Sequence, residues 1–184
     1  VTGTVSPNAQ GAIANTATVT PPANATDTDL TNNFSTDVDT LTTVDIGVGT
    51  ALGEKGLVVP VVKDAGSLGL EEIGAKLDDL TRRAREGKLE RSDVSGGSFT
   101  ISNHGVSGSL LAAPIILHQG QAAILGVGKL EKRVVVREID GQDAILVRPM
   151  AYVTLTIDHR VVDGHQTNAW LRRFVDVLES WPPV

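Results

Sequence analysis

Tyr152-Val153-Thr154-Leu155-Thr156-Ile157-Asp158-His159-Arg160-Val161-Val162-Asp163-Gly164 decides how the chain is read. Its first six residues are β-branched or apolar and alternate as a strand does. From about His165 to Trp181 the period changes. Leu171, Phe174, Val177, Leu178 and Trp181 return every three or four residues, which predicts an amphipathic helix. A histidine with a carboxylate on either side therefore sits in the turn between a strand and a helix. Such turns hold side chains in a geometry set by the rigid elements around them.

Working back from this stretch, further strands appear. Ala122 to Val127 is a short apolar run, and Lys132 to Glu138 and Ala144 to Val147 flank Asp140-Gly141 as a hairpin. Ser98-Phe99-Thr100-Ile101-Ser102-Asn103 is a strand between Gly96-Gly97 and His104-Gly105. Ser67 to Lys88 is a helix striped by Leu70, Ile73, Leu77, Leu80 and Ala84, with Ser67 as its N-cap and Gly87 at its end. Before it, Val44 to Gly49 alternates as a strand. Leu57 to Val62 is broken by Pro60, so it is an edge strand or two short pieces, joined to the first by a turn at Lys55-Gly56. Strands outnumber helices. An α/β fold, with a mixed sheet carrying helices on one face, is the simplest architecture.

Residues 1–43 have another composition. They contain no Lys or Arg, the first being Lys55, and Thr, Asn, Ala and Asp dominate. Ile13 to Thr20 alternates weakly, and Pro21-Pro22 and Thr31-Asn32-Asn33 act as turns. This is a short β-rich segment with too few large apolar residues to hold a core alone. The boundary falls near Thr42 to Val44. Gly3-Thr4-Val5, Ile13 to Val19 and Asp29-Leu30-Thr31-Asn32-Asn33 resemble pieces of a Thr/Asn-rich β-sandwich repeat of bacterial surface proteins.

Totals over the 184 residues restrict the function. A net charge of −6 lacks the basic footprint of a nucleic-acid binder. The chain has no cysteine, so disulfides, thiolate metal sites and a cysteine nucleophile are excluded. No apolar run approaches the ~20 residues of a membrane span, and no basic-then-apolar leader is seen. A cytoplasmic protein is expected. With 41% hydrophobic but only 3% aromatic residues, the core is aliphatic. Gly47, Gly49 and Gly53 precede a second strand instead of a helix, so they do not make a dinucleotide fingerprint.

His159 and Asp163 are the first candidates for chemistry. A neutral histidine suits a general base near neutral pH, and a carboxylate nearby can fix a loop or a tautomer. A structural histidine and a metal site from His159, Asp163 and His165 are the alternatives, although no fourth ligand is evident. Ser102 and Asn103 form a second cluster. A hydroxyl at a strand end can donate to a developing oxyanion or serve as a turn device. His104 and His118 are expected to be surface or packing residues.

From Val44 onward the chain resembles the catalytic domain of dihydrolipoamide acyltransferases of 2-oxo acid dehydrogenase complexes. The resemblance is carried by Asp45-Ile46-Gly47-Val48, Gly56 to Ala65, Gly97 to Asn103, Pro114-Ile115-Ile116, Gln121 to Gly128, Arg148-Pro149-Met150 and the stretch ending at Gly164. Gly108-Ser109-Leu110 looks like the succinyltransferases. The resemblance implies a chloramphenicol acetyltransferase-like fold assembled as a homotrimer or larger core. It implies acyl transfer between coenzyme A and a lipoyl group supplied by another domain or chain, without a metal. His159 would be the base, Ser102 the oxyanion donor and Asp163 a supporting group, with histidine and serine contributed by different subunits. The segment before Val44 does not look like the family, so an idle fusion of two partial domains and a cell-surface binding module are the competing expectations.

Overall fold

The computed structural model describes residues 11–20, 22–24, 26–29, 31, 33–41, 43–118 and 120–182. The chain divides into two compact units, Val1–Thr43 and Val44–Val184. In the first, β1 (Gly11–Thr18) and β2 (Phe34–Leu41) pair antiparallel from Gly11↔Leu41 to Thr18↔Phe34. Thr16 and Thr36 face each other across the pair with hydroxyls 2.9 Å apart, a cross-strand contact that suits β-branched side chains. Gly3-Thr4-Val5 lies outside the described residues.

The second unit begins with β3 (Ile46–Val48) and β4 (Thr50–Ala51), followed by β5 (Leu57–Val58) and β6 (Val61–Val62). Pro60 divides the last two and is itself fully buried. It gives up a donor but keeps its carbonyl, which accepts from Val48 N–H at 2.9 Å. The expected hairpin is thus two short ladders, β4 with β5 and β3 with β6. Gly47 is a packing glycine. A Cβ there would lie 2.8 Å from both Thr100 Oγ1 and Val59 Cγ1.

Helix α1 (Leu70–Arg85) starts later than the sequence suggests. Ser67 is not its N-cap. It closes a 3-10 turn, and its hydroxyl bonds the carbonyl of Asp64 at 2.9 Å and the Asp64 carboxylate at 2.7 Å. Gly69 takes the cap position, and the Glu72 carboxylate returns to its N–H at 2.9 Å, half of a capping box. Arg83 then ties α1 to the next turn, reaching Asp79 at 2.8 Å and Asp93 at 2.5 Å and 2.9 Å.

After α1 come β7 (Phe99–Asn103), β8 (Ala123–Val127), β9 (Glu131–Ile139), β10 (Gln142–Met150), β11 (Val153–Ile157) and α2 (Gly164–Glu179). The five-stranded sheet has the order β11-β8-β7-β3-β6. β7 runs parallel to β3 and β8, while both edge strands run antiparallel to their neighbours. β6 is the edge that Pro60 predicts. Strands β9 and β10 stand apart as a two-stranded ribbon, turned by Asp140 (φ +53°) and Gly141 (φ +76°). Two successive residues at positive φ match the twist of a hairpin.

The core is aliphatic, with Val59, Val61, Val62, Leu80, Ile124 and Leu125 buried. Thr100 is buried among them. Its hydroxyl meets Gln121 Oε1 at 2.7 Å, and Gln121 Nε2 donates to Gly97 O at 2.9 Å, so no polar group is stranded. Phe99 carries the aromatic contact to α2, its ring 5.5 Å from Trp170, which stacks on Phe174 at 5.4 Å. A mixed sheet with two helices is thus the architecture.

Candidate active site

Ser102 is the fourth residue of β7, in the middle of the sheet, opposite Gly126 of β8. Residues alternate between faces. Ser102 therefore looks away from the face on which Phe99 meets Trp170. Gly49 follows the neighbouring strand β3, and a Cβ there would lie 3.4 Å from Ser102 Oγ. A side chain at Gly49 would touch the hydroxyl, whereas one at Gly126 would meet Thr154 Oγ1 at 2.5 Å and Ile115 Cδ1 at 2.8 Å. Ser102 is half-buried, and its Oγ lies 3.2 Å from Nε2 of His104.

That histidine, expected to be a surface or packing residue, lies within hydrogen-bond reach of Ser102. His104 is half-buried beyond the end of β7. Its N–H donates to Val127 O at 2.9 Å. The spacing of two was the available signal, because His104 is the first residue after β7 and caps the turn that follows it.

His159 stands in the turn after β11. The turn is organised by Asp158, not by the histidine. Asp158 N–H donates to Ala122 O at 2.8 Å, and Asp158 O accepts from Val161 and Val162 at 2.9 Å and 3.1 Å. Its carboxylate accepts from Arg160 Nη2 at 2.6 Å, from Nε at 2.9 Å and from the Arg160 N–H at 3.0 Å. The Arg160 guanidinium, and after it the Arg160 N–H, hold the Asp158 carboxyl down at about 2. The exposed imidazole of His159 makes no hydrogen bond to any described residue. It is an accessible ring on a firmly held turn.

Asp163 is the N-cap of α2. Its carboxylate accepts from Gln166 N–H at 2.8 Å and its carbonyl from Thr167 Oγ1 at 2.6 Å. It is joined to the helix and makes no bond to His159. Among the described residues no group of three or more His, Asp or Glu side chains could hold a metal ion, and His159, Asp163 and His165 do not converge as ligands. No described helix is long and apolar enough to cross a membrane.

The structure does not bring Ser102 and His159 together within one chain. Ser102 shares a row with Gly126, and Gly126 with Thr154 of β11. β11 is antiparallel to β8, so it runs away from the Ser102 end of the sheet. Ile157 lies three residues beyond that row, about 10 Å along the strand and two strand spacings of about 4.8 Å across. His159 follows it at the far end, well outside the ~3 Å of a hydrogen bond.

This arrangement can be set beside known proteins. The family described as 2-oxoacid dehydrogenases acyltransferase (catalytic domain) matches residues 5–183, starting well before Val44. The succinyltransferase component of the 2-oxoglutarate dehydrogenase complex of Rickettsia bellii is 48% identical over 134 residues, 72% of this chain and 32% of that protein. The acetyltransferase component of the pyruvate dehydrogenase complex of Corynebacterium glutamicum is 45% identical over 125 residues, 68% of this chain and 18% of that protein. The chain thus spans about a third, or less, of the length of these relatives. Among solved structures, the dihydrolipoamide acetyltransferase of Azotobacter vinelandii superposes with a TM-score of 0.69 at 31% identity, covering 78% of this chain and 57% of that one. It was studied for the role of a serine, a histidine and an asparagine in its catalytic mechanism. A probable dihydrolipoamide acetyltransferase from Listeria monocytogenes gives 0.65 at 35% identity, covering 74% and 56%. None of these likenesses is to a surface-protein repeat. With the family matched over almost its whole length and the sheet shared with solved members, the chain belongs to the 2-oxoacid dehydrogenase acyltransferase catalytic-domain family.

Proposed function

We propose that this chain transfers an acyl group, succinyl in preference to acetyl, between coenzyme A and a dihydrolipoyl group carried by another domain or chain. The observation that carries this is the 48% identity to a succinyltransferase component over 134 residues. In this reading His159 takes the proton from the attacking thiol. The thiolate adds to the thioester carbonyl, and the Ser102 hydroxyl donates to the oxyanion that forms. Collapse expels the other thiolate, which recovers the proton from His159. Loss of one such donor costs about 3 kcal/mol of barrier, and loss of a general base about 10²–10⁴ in rate.

The three named residues of the Azotobacter enzyme support these roles. Its histidine and asparagine are four positions apart, as are His159 and Asp163, and its serine precedes them as Ser102 does. Asp163 acts through the cap, fixing where the turn meets α2. The separation of Ser102 from His159 is consistent with a site shared between two copies, in a trimer or larger core that works with the complex's lipoyl domain and other subunits.

The test is a thiol-release assay with succinyl-coenzyme A and dihydrolipoamide, run with a mass measurement of the assembly. His159→Ala should abolish turnover while leaving the mass unchanged. Full activity in a monomer would refute the shared site. A second reading is that the chain is an idle fusion, its first unit a surface-protein-like β module. The two compact units and the fifty or so residues beyond the match to the Rickettsia relative favour it. A well-formed oligomer without activity would select it.

A further inference from the structure

Ser102 has one neighbour that the proposed mechanism does not use. A serine hydroxyl offers one proton and accepts through two lone pairs, and a neutral imidazole donates from one nitrogen and accepts at the other. The 3.2 Å contact between Ser102 Oγ and His104 Nε2 can therefore run in two directions. With Nε2 bare, it takes the serine proton, and the hydroxyl has nothing left to give an oxyanion. With a proton on Nε2, the imidazole donates into Oγ. The serine proton is then free to point elsewhere, and the hydroxyl is polarised toward giving it up. Only the second arrangement leaves Ser102 able to do the work assigned to it.

The backbone keeps the ring in place. His104 N–H donates to Val127 O at 2.9 Å. Its carbonyl accepts from Ser107 Oγ at 2.9 Å, from Ser107 N–H at 3.2 Å and from Ser109 N–H at 3.3 Å. Gly105 presses against the next loop so closely that a Cβ would lie 2.4 Å from Gly128 O. The loop cannot swing the imidazole away without breaking several bonds, whereas the exposed imidazole of His159 makes no hydrogen bond to any described residue. A half-buried ring, fixed on both sides and aimed at one hydroxyl, is positioned to direct that hydroxyl.

We propose that His104 is a positioning residue for Ser102, donating from Nε2 so that the serine proton remains available to the oxyanion. This rests on Ser102 being the oxyanion donor, and the experiment separates the two claims. Steady-state kinetics are measured on the whole chain for His104→Ala, His104→Gln, Ser102→Ala and the double variant Ser102→Ala/His104→Ala. In parallel, the imidazole nitrogen shifts of His104 are recorded by NMR in wild type and Ser102→Ala.

The expected results are a fall in kcat of about 10–100-fold for His104→Ala, no more than the loss of an oxyanion donor, with KM for the acyl donor unchanged. His104→Gln keeps an N–H donor and should recover most of the loss. In the Ser102→Ala background, removing His104 should change the rate by less than about twofold, because groups that act as a unit are not additive. Nε2 should carry the proton in wild type, and its shift should move when Ser102 is removed. The proposal is overturned if His104→Ala keeps the wild-type kcat, if it costs the same factor in both backgrounds, or if Nε2 is bare. If Ser102→Ala itself is fully active, the oxyanion assignment fails instead, and the inference goes with it. The NMR result decides the direction of the hydrogen bond even where turnover is too slow to follow.

Discussion

Ser102 and His159 lie toward opposite ends of the five-stranded sheet, because β11 runs antiparallel to β8 while β7 runs parallel to it. If the site needs both, each copy contributes half to its neighbour. Ser102→Ala and His159→Ala should then be inactive alone but active when mixed and allowed to reassemble. Random exchange puts an intact serine opposite an intact histidine in about a quarter of the sites, whatever the ring size. The thiol-release rate of the mixture measures this. A mixture as dead as its components would end the shared-site idea.

Asp158 ties acid stability to the turn that bears the histidine. Its carboxyl is lowered from 3.8 to about 2, chiefly by the Arg160 guanidinium. A depressed carboxyl stabilises the fold above its unfolded value, and that stability is lost as pH falls through the folded one. Asp158→Asn should therefore melt at a lower temperature than wild type at pH 6, and the gap should close between about pH 4 and pH 2. A gap that stayed constant down to pH 2 would mean that the Arg160 contact does not depend on the charge.

Asp163 separates capping from charge. Asparagine caps helices as well as aspartate does, and alanine does not. Asp163→Ala should cost about 1 kcal/mol of stability, whereas Asp163→Asn should stay within a few tenths. Chemical denaturation of both variants checks this. Equal losses would show that the carboxylate charge, not the bond to Gln166 N–H, holds the start of α2.

Two glycines should respond to alanine in opposite ways. Gly128 is wedged between segments, and a Cβ there would lie 2.1 Å from Leu110 O and 3.1 Å from Tyr152 O. Overpacking of this kind costs ~1–3 kcal/mol or more. Gly74 lies within α1 with nothing within 4 Å of an added Cβ, so Gly74→Ala should stabilise by roughly 0.5–1 kcal/mol. Thermal melts of the pair would test the assignment, and the same sign for both would contradict it.

Much of this architecture is readable from local pattern. The change of period at Asp158 marks the end of β11 and the start of α2, and Asp140-Gly141 marks the ribbon's turn. Pro60 announces both a break and an edge. Local chemistry misleads where two residues compete for one job, as Ser67 and Gly69 do at the start of α1. There the hydroxyl of Ser67 was drawn to Asp64, and the cap fell to Gly69. Strand order was out of reach of pattern, because β3 and β7 pair across the whole of α1. So was the distance from Ser102 to His159, which depends on register. Recognisable residue types mark the candidate site in sequence. Its division between the two ends of the sheet is a property of topology alone.

The β9–β10 ribbon belongs to neither half of that division. Val134 faces Val147 and Val136 faces Ile145, and all four are exposed on one face. Two strands without a third are marginal in water, so the ribbon is a cooperative unit that can open while Leu125, 1% exposed in the sheet, stays closed. Its amides should exchange with deuterium together and well before those of β8. When the ribbon opens, it releases two unpaired edges beside an aliphatic stripe, the combination from which strand-to-strand aggregation starts. Opening of this ribbon, rather than loss of the core, is then the expected first step toward aggregation of the isolated chain in solution.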